Sequence, residues 1–376
     1  MKVMVISRSW PSNERSGVSL AAATHVKMLA ELGHEVSIIG ANPEVLNESL
    51  PVEYQYWVSA KGSGALYSRA KVDQEGLKNA ILKSAAQVVL IEAWQTALTD
   101  AAIETAFQLK IPVLMISHGI ALQPHDNTLT QWFRSVCWIP YRYFTLTKLI
   151  KKLNAITALD EASDSPRFID RELAKEAGIK VFPLKNSPVH WVEYPVSRED
   201  RKLQVLVVGY FTPVKNQLDA IQALSHLPEQ VTLRFIGSRS GAYFESCKKL
   251  VGQLDLENRV SFLQDDECNI AQEIANSMVV YSPSLTEALP MVLIEAMACG
   301  TPFVATPVGS VPGLKGGMTA SGDGQQVHTL REFLENNEIW KVYSEKGRAQ
   351  YQAEFSKEHI REQLASAVNY CVKTTP

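Results

Sequence analysis

The chain has 376 residues, 46% of them hydrophobic, and a formal net charge of −3 at pH 7. That length accommodates two domains with separate cores, and without a basic excess to neutralise a phosphate backbone, nucleic acid is excluded as a partner. No run approaches about 18 apolar residues, MKVMVISRSW is too short an apolar start for a leader, and the five cysteines are scattered without a CxxC pair; a cytoplasmic protein with free thiols is the expectation.

Short aliphatic runs alternate with amphipathic segments from end to end. Strands are predicted at 3–7, 36–39, 88–91, 113–117 and 155–158, then at 203–208, 231–236, 260–263, 279–281 and 303–305. Helical spacing covers 20–32, stopping at Gly33, and returns at 218–227 and 339–351. Near-continuous β-branched strands separated by helices predict parallel sheets covered on both faces, an α/β class with two Rossmann-like, doubly wound domains. The pattern breaks between Phe182 and Lys202, where PLKNSPVHWVEYPVSREDRK holds three prolines and no lasting periodicity. The predicted division is a first domain at 1–185, a linker at 186–201 and a second domain at 202–355. Sheets of this kind take ligands at the carboxyl ends of their strands.

Several residues lie where such ligands would be. Gly17, in SNERSGVSL after the first strand, can let the backbone approach a phosphate, although a plain turn glycine fits the same place. His118 follows directly on the buried run VLMIS, with Gly119 next, and so projects from a strand's carboxyl end. His125 lies in the loop beyond. Residues 131–153, QWFRSVCWIPYRYFTLTKLIKKL, mix Trp132, Phe133, Trp138, Tyr141, Tyr143 and Phe144 with Arg134, Arg142, Lys148, Lys151 and Lys152. Aromatics on one side and cations on the other predict an interfacial helix on an anionic membrane surface. Two packed helices broken at Pro140, with the aromatics in a core, are the alternative. Asp265, Asp266 and Glu267 read as a solvated turn; the chain has no D-x-D, and neither metal nor other cofactor is expected.

The most informative run is YSPSLTEALPMVLIEAMACGTPFVAT, residues 281–306. Strand signals precede a polar turn, a helix-period segment runs from Pro290 to Gly300, and a strand resumes at Phe303. Glu287 therefore lies ahead of a helix amino end and Glu295 inside the helix. Between them Ala288, Leu289, Pro290, Met291 and Val292 enclose free N–H groups at the positive end of a dipole, an anion site. Acids on both sides of a phosphate cradle suit a nucleotide sugar, with hydroxyls at its ends and charge in its middle.

This run resembles the donor-site signature of the family 4 glycosyltransferases, E-x7-E continuing into residues like the EAMACGTPFVAT found here. The resemblance implies the retaining GT-B architecture: two Rossmann-like domains facing across a cleft, with a last helix, here about 356–372, packing back on the first. It implies that Glu287 contacts the donor hexose, Glu295 the ribose, and that His118 stands near the sugar, with His118, Lys215 and Glu287 as the catalytic set. GYFTPVKN, 209–216, is similar to the family turn GR-x3-K-(G/N), whose arginine and lysine grip the diphosphate. Lys215 matches, but Tyr210 stands at the arginine. Arg8, Arg15 and Arg239 are candidates to supply the missing charge, and Arg239 is preferred. Gly313 follows Pro312 where relatives carry glutamate, a departure that bears on donor specificity.

The implied activity is retaining transfer of a hexose from a nucleotide-diphosphate sugar to a hydroxyl of a saccharide or lipid-linked acceptor, with His125 facing that acceptor. The implied setting is bacterial surface polysaccharide or glycolipid synthesis, in the cytoplasm and peripherally on the inner face of the membrane. A noncatalytic relative that binds a partner or a sugar nucleotide, and a hydrolase or epimerase acting on the sugar nucleotide, fit the same residues.

Overall fold

Aliphatic strands without a polar face need cover on both sides, and the computed structural model of the chain supplies it twice. The structure describes residues 1–11, 16–41, 50–120, 129–160, 165–186, 188 and 196–374. Contacts divide the chain into two units, Met1–Val189 with Lys357–Pro376, and His190–Ser356.

The first unit opens with β1 (Lys2–Ser7), α1 (Gly17–Glu31), β2 (Glu35–Ala41) and β3 (Tyr54–Val58), then a short antiparallel pair, β4 (Ala60–Lys61) and β5 (Lys71–Val72). α2 (Gln74–Ser84), β6 (Val88–Glu92), α3 (Ala97–Gln108) and β7 (Val113–Ile116) follow. α4 (Leu129–Pro140) passes through a π-helical stretch, Tyr141–Leu146, into α5 (Thr147–Ile150); β8 (Ala155–Ala158), α6 (Ile169–Glu176) and β9 (Lys180–Pro183) complete the series. The main sheet is parallel, in the order β3-β2-β1-β6-β7-β8-β9. Its order reverses between β1 and β6, where Ser7 pairs with Glu92, and such a switch point leaves a crevice for ligands.

The second unit contains β10 (Lys202–Val208), α7 (Gln217–Ser225), β11 (Thr232–Ile236), α8 (Ala242–Gln253), β12 (Val260–Leu263) and α9 (Ile270–Asn276). It continues with β13 (Ser277–Ser282), α10 (Met291–Ala298), β14 (Phe303–Ala305), β15 (Gly317–Thr319), α11 (Asp323–Glu335) and α12 (Asn337–Glu354). Its parallel order is β12-β11-β10-β13-β14-β15, with the switch point between β10 and β13.

The last helix, α13 (Lys357–Lys373), belongs to the first unit. It buries Ile360, Leu364, Ala367, Val368 and Cys371 at helical spacing, each of the larger side chains worth about 2 kcal/mol. Lys357 Nζ reaches Glu31 at 2.7 Å, and the rings of Tyr370 and Phe182 stand 5.2 Å apart.

Every strand read from the sequence is present, within a residue or two at its ends. The reading missed β3 and β9, which form the edges of the first sheet, because each mixes exposed and half-buried residues instead of presenting a buried run. It also missed the small pair β4–β5 and the three-residue β15. α1 starts earlier than predicted: Ser16 caps it, accepting from Ser19 N while Ser19 Oγ accepts from Ser16 N, a reciprocal box that stabilises a helix start.

Candidate functional site

At the second unit's switch point the carboxyl ends of β10 and β13 run into two turns that meet. After β10, Gly209 takes φ 151°. Gly237, beyond β11, comes so close that a Cβ on it would lie 2.2 Å from Gly209 O. Phe211 anchors the turn, packing on Phe235, Phe244 and Phe262 with ring centroids 4.9 to 5.8 Å away. Gln217 Nε2 donates to Tyr210 O at 2.9 Å. Asn216 precedes α7 at φ 53°, a left-handed conformation that asparagine tolerates better than most residues. Leu285 N, in the turn after β13, donates to Val214 O at 2.8 Å. Lys215 Nζ then lies 2.5 Å from Glu287 Oε1.

α10 begins at Met291, one residue later than the sequence suggested, with Pro290 extended ahead of it and giving no side-chain cap. Its amino end thus keeps the character of an anion site. Gly309, at φ 56°, closes on the preceding loop so tightly that a Cβ would stand 2.1 Å from Glu287 O, and Ser310 N donates to Ala288 O at 2.8 Å. Leu289 and Pro290 are buried, while Ala288, Met291, Val292 and Glu295 are partly exposed. The Lys215–Glu287 pair is itself partly open, its side chains 33% and 15% exposed.

Arg201, which the sequence reading passed over, fastens the other end of α10. Its guanidinium donates to Cys299 O at 3.0 Å, Thr301 Oγ1 at 2.6 Å, Ser277 O at 3.1 Å and Val196 O at 3.1 and 3.2 Å. It also lies 4.9 Å from the ring of Trp340. Burial draws its pKa down to about 10.

The first unit's switch point is built differently. Glu92, the last residue of β6, is fully buried, and both its oxygens are held: Oε1 lies 2.8 Å from His25 Nδ1 on α1, and Oε2 lies 2.8 Å from His118 Nε2. Burial pushes this carboxyl up, but the charge of His25 and hydrogen bonds from His118 and His25 outweigh it and hold the pKa at about 2. Beside it, Ser117 Oγ donates to Asp170, which also accepts from Trp94 Nε1 at 2.7 Å. Burial raises the Asp170 pKa against those bonds. Gly119 N donates back to Ser117 Oγ at 3.1 Å. One carboxylate therefore holds the His118 ring and the other the backbone turn that carries it. Neither Glu92 nor His25 was singled out from the sequence; the available signals were an acid closing an apolar strand and a histidine on a helix's apolar face.

The remaining predicted residues scatter. Gly17 is the exposed first residue of α1. Arg239 follows β11, on the side of β10 away from β13, and pairs with Glu267 at 2.5 Å; it is committed there and not at the Lys215 turn. Arg15, His125 and the side chain of Arg134 lie outside the described residues. Of the aromatic segment, Trp132, Phe133, Tyr143 and Phe144 are exposed, together with Leu129, Val136 and Ile139. Trp138 and Tyr141 instead join the core, and Tyr141 Oη donates to Asp100 at 2.8 Å. Arg142 lies 5.6 Å from the ring of Tyr143. Lys148 and Lys151 are exposed, whereas Lys152 pairs with Glu104 on α3. Among the described residues no helix is long and apolar enough to cross a membrane.

Residues 194–350 match the family of glycosyl transferases group 1. N-acetyl-alpha-D-glucosaminyl L-malate synthase of Bacillus anthracis is 30% identical over 45% of this chain and 45% of its own length. D-inositol 3-phosphate glycosyltransferase of Mycolicibacterium smegmatis is 29% identical over 45% of this chain and 40% of its own. The chain thus spans less than half the length of these curated relatives. Two solved structures are similar in fold over 98% of the chain. One is Anabaena HepE in complex with UDP, at 18% identity, a TM-score of 0.73 and 100% of that chain. The other is sucrose-phosphate synthase from Thermosynechococcus elongatus, at 18% identity, a TM-score of 0.76 and 98% of that chain.

Proposed function

We propose, from the match of residues 194–350 to the group 1 glycosyl transferases and from the GT-B fold, that the chain transfers a hexose from a nucleotide-diphosphate sugar to a hydroxyl of a saccharide or lipid-linked acceptor, with retention. The observation that carries this reading is Lys215 Nζ at 2.5 Å from Glu287 Oε1, at the ends of two strands adjoining a switch point and with the amino end of α10 following Glu287. On donor binding a phosphate oxygen replaces Glu287 as the partner of Lys215. Glu287 is released to the hexose hydroxyls, and Glu295 holds the ribose. The leaving diphosphate is met by Lys215 and by the helix end, which contributes about half a charge. Catalysis is then positioning plus stabilisation of developing phosphate charge, with no metal required of the protein. Tyr210, in the place of an arginine, removes one positive charge from the β10 turn, so turnover is modest.

The test is release of nucleoside diphosphate from UDP-, GDP-, ADP- and dTDP-hexoses, with and without glycan and glycolipid acceptors. Acceptor-dependent release and a product keeping the donor's anomeric configuration by NMR support the proposal. Free hexose without an acceptor points to a hydrolase, and binding without release to a noncatalytic relative.

The acceptor side of the reading includes a lipid surface. α4 and the π-helical stretch expose Trp132, Phe133, Tyr143 and Phe144, with Lys148 and Lys151 following as available cations. Each lysine near an anionic surface contributes about 1 kcal/mol, so Lys148→Glu with Lys151→Glu lowers binding to anionic vesicles by at least about thirtyfold. Flotation that ignores the two changes removes the membrane role and leaves the transferase reading standing.

A further inference from the structure

The buried cluster at the first unit's switch point is more elaborate than a packing role needs. We propose that Glu92 is a positioning residue for His118, holding its ring with the hydrogen on Nε2 and so presenting Nδ1 as the acceptor for a sugar hydroxyl. This rests on the transferase reading of the preceding section.

An ionised carboxylate only accepts hydrogen bonds, so the two ring nitrogens facing Glu92, Nδ1 of His25 and Nε2 of His118, both carry hydrogens. The histidines approach the same carboxylate through opposite nitrogens. Their rings are nearly parallel, with centroids 6.5 Å apart and planes inclined by 27°. His25 completes the set by occupying the second oxygen of Glu92, and its own Nε2 is buried with no partner among the described residues. Both oxygens being spoken for, Glu92 cannot turn to release His118. Nδ1 of His118 has no partner among the described residues, and the side chain keeps a 7% opening to solvent. Ser117, one residue earlier, is held by Asp170, so ring and backbone are fixed independently.

Glu92→Gln tests this directly, because it replaces one of the two carboxylate oxygens with an N–H donor, which then meets a ring nitrogen that already carries a hydrogen. The expected result is a turnover about ten- to a hundredfold lower, the size of a misplaced catalytic contact, with the donor KM within about twofold of wild type. In a His118→Ala background the same change costs nothing further, since it acts only through that ring. Full activity in a folded Glu92→Gln protein, or an equal further loss without His118, overturns the proposal. Should the variant not fold, 15N-histidine NMR of the wild-type protein decides. An Nε2–H tautomer for neutral His118 supports the assignment, and an Nδ1–H tautomer overturns it. That spectrum needs no turnover, so a wild-type protein that transfers no sugar sinks the transferase reading alone.

Discussion

The two units share a topology yet equip their switch points in opposite ways. Between β1 and β6 stands a carboxylate with no exposure, clamped by two histidines from α1 and the end of β7; between β10 and β13 stands a lysine–glutamate pair partly open to solvent. Burial makes the first arrangement stiff, because any unpaired polar atom there costs its full desolvation. Partial exposure makes the second exchangeable, since water or a phosphate can take either partner's place at little cost. One sheet order thus provides a fixed orienting group in one unit and a replaceable ion pair in the other. A site that must bind and release a doubly charged group needs the second kind.

The contrast can be broken most severely at Lys215. Lys215→Ala lowers turnover with the cognate nucleotide sugar by about 100- to 1000-fold, the cost of removing a preorganised charge-stabilising donor, while thermal melting stays near wild type because the lysine is partly exposed. Arg201→Met follows. It strands the carbonyls of Val196, Ser277 and Cys299, and chemical denaturation should show the second unit losing about 3 kcal/mol. A loss below about 0.5 kcal/mol would mean that the end of α10 does not depend on it.

Acid sharpens the comparison from the other side. The Glu92 pKa is lowered in the folded chain, from an ordinary 4.5 to about 2. The unfolded chain therefore binds the proton first, and stability present above pH 4.5 is lost as pH falls toward 2. The loss is on the order of 3 kcal/mol, and denaturation curves against pH should show it reduced in Glu92→Gln. The smallest effect is a gain: Tyr210→Arg adds a cation to the β10 turn and tightens nucleotide-sugar binding by about fivefold, from a charge-assisted contact of about 1 kcal/mol in a half-exposed place.

Much of the fold was legible because the strands that matter are buried on both faces and spell continuous runs, such as VVLIE and KLQVLVV. The edge strand YQYWV was not, since its Tyr54 and Gln55 face water. The pair at the second switch point was legible because Lys215 and the Glu287 loop each sit in a compact local pattern. Glu92 and His25 were hidden: they lie 67 positions apart, and nothing local announces their meeting. The aromatic segment was half legible. Its amphipathic reading assumed one helical phase, but the π-helical stretch after Pro140 widens the turn. Tyr141 faces the core and Tyr143 and Phe144 face out, a division no single periodicity describes.

The central claim is that the β10–β13 switch point holds the donor's diphosphate. Calorimetric titration of the wild-type chain and Lys215→Ala with UDP, GDP, ADP and dTDP sugars tests it most directly. The account predicts binding selective for one base in wild type and weakened at least about thirtyfold in the variant, the worth of about 2 kcal/mol. Equal affinity in the two proteins, or no binding to any member of the panel, would contradict it.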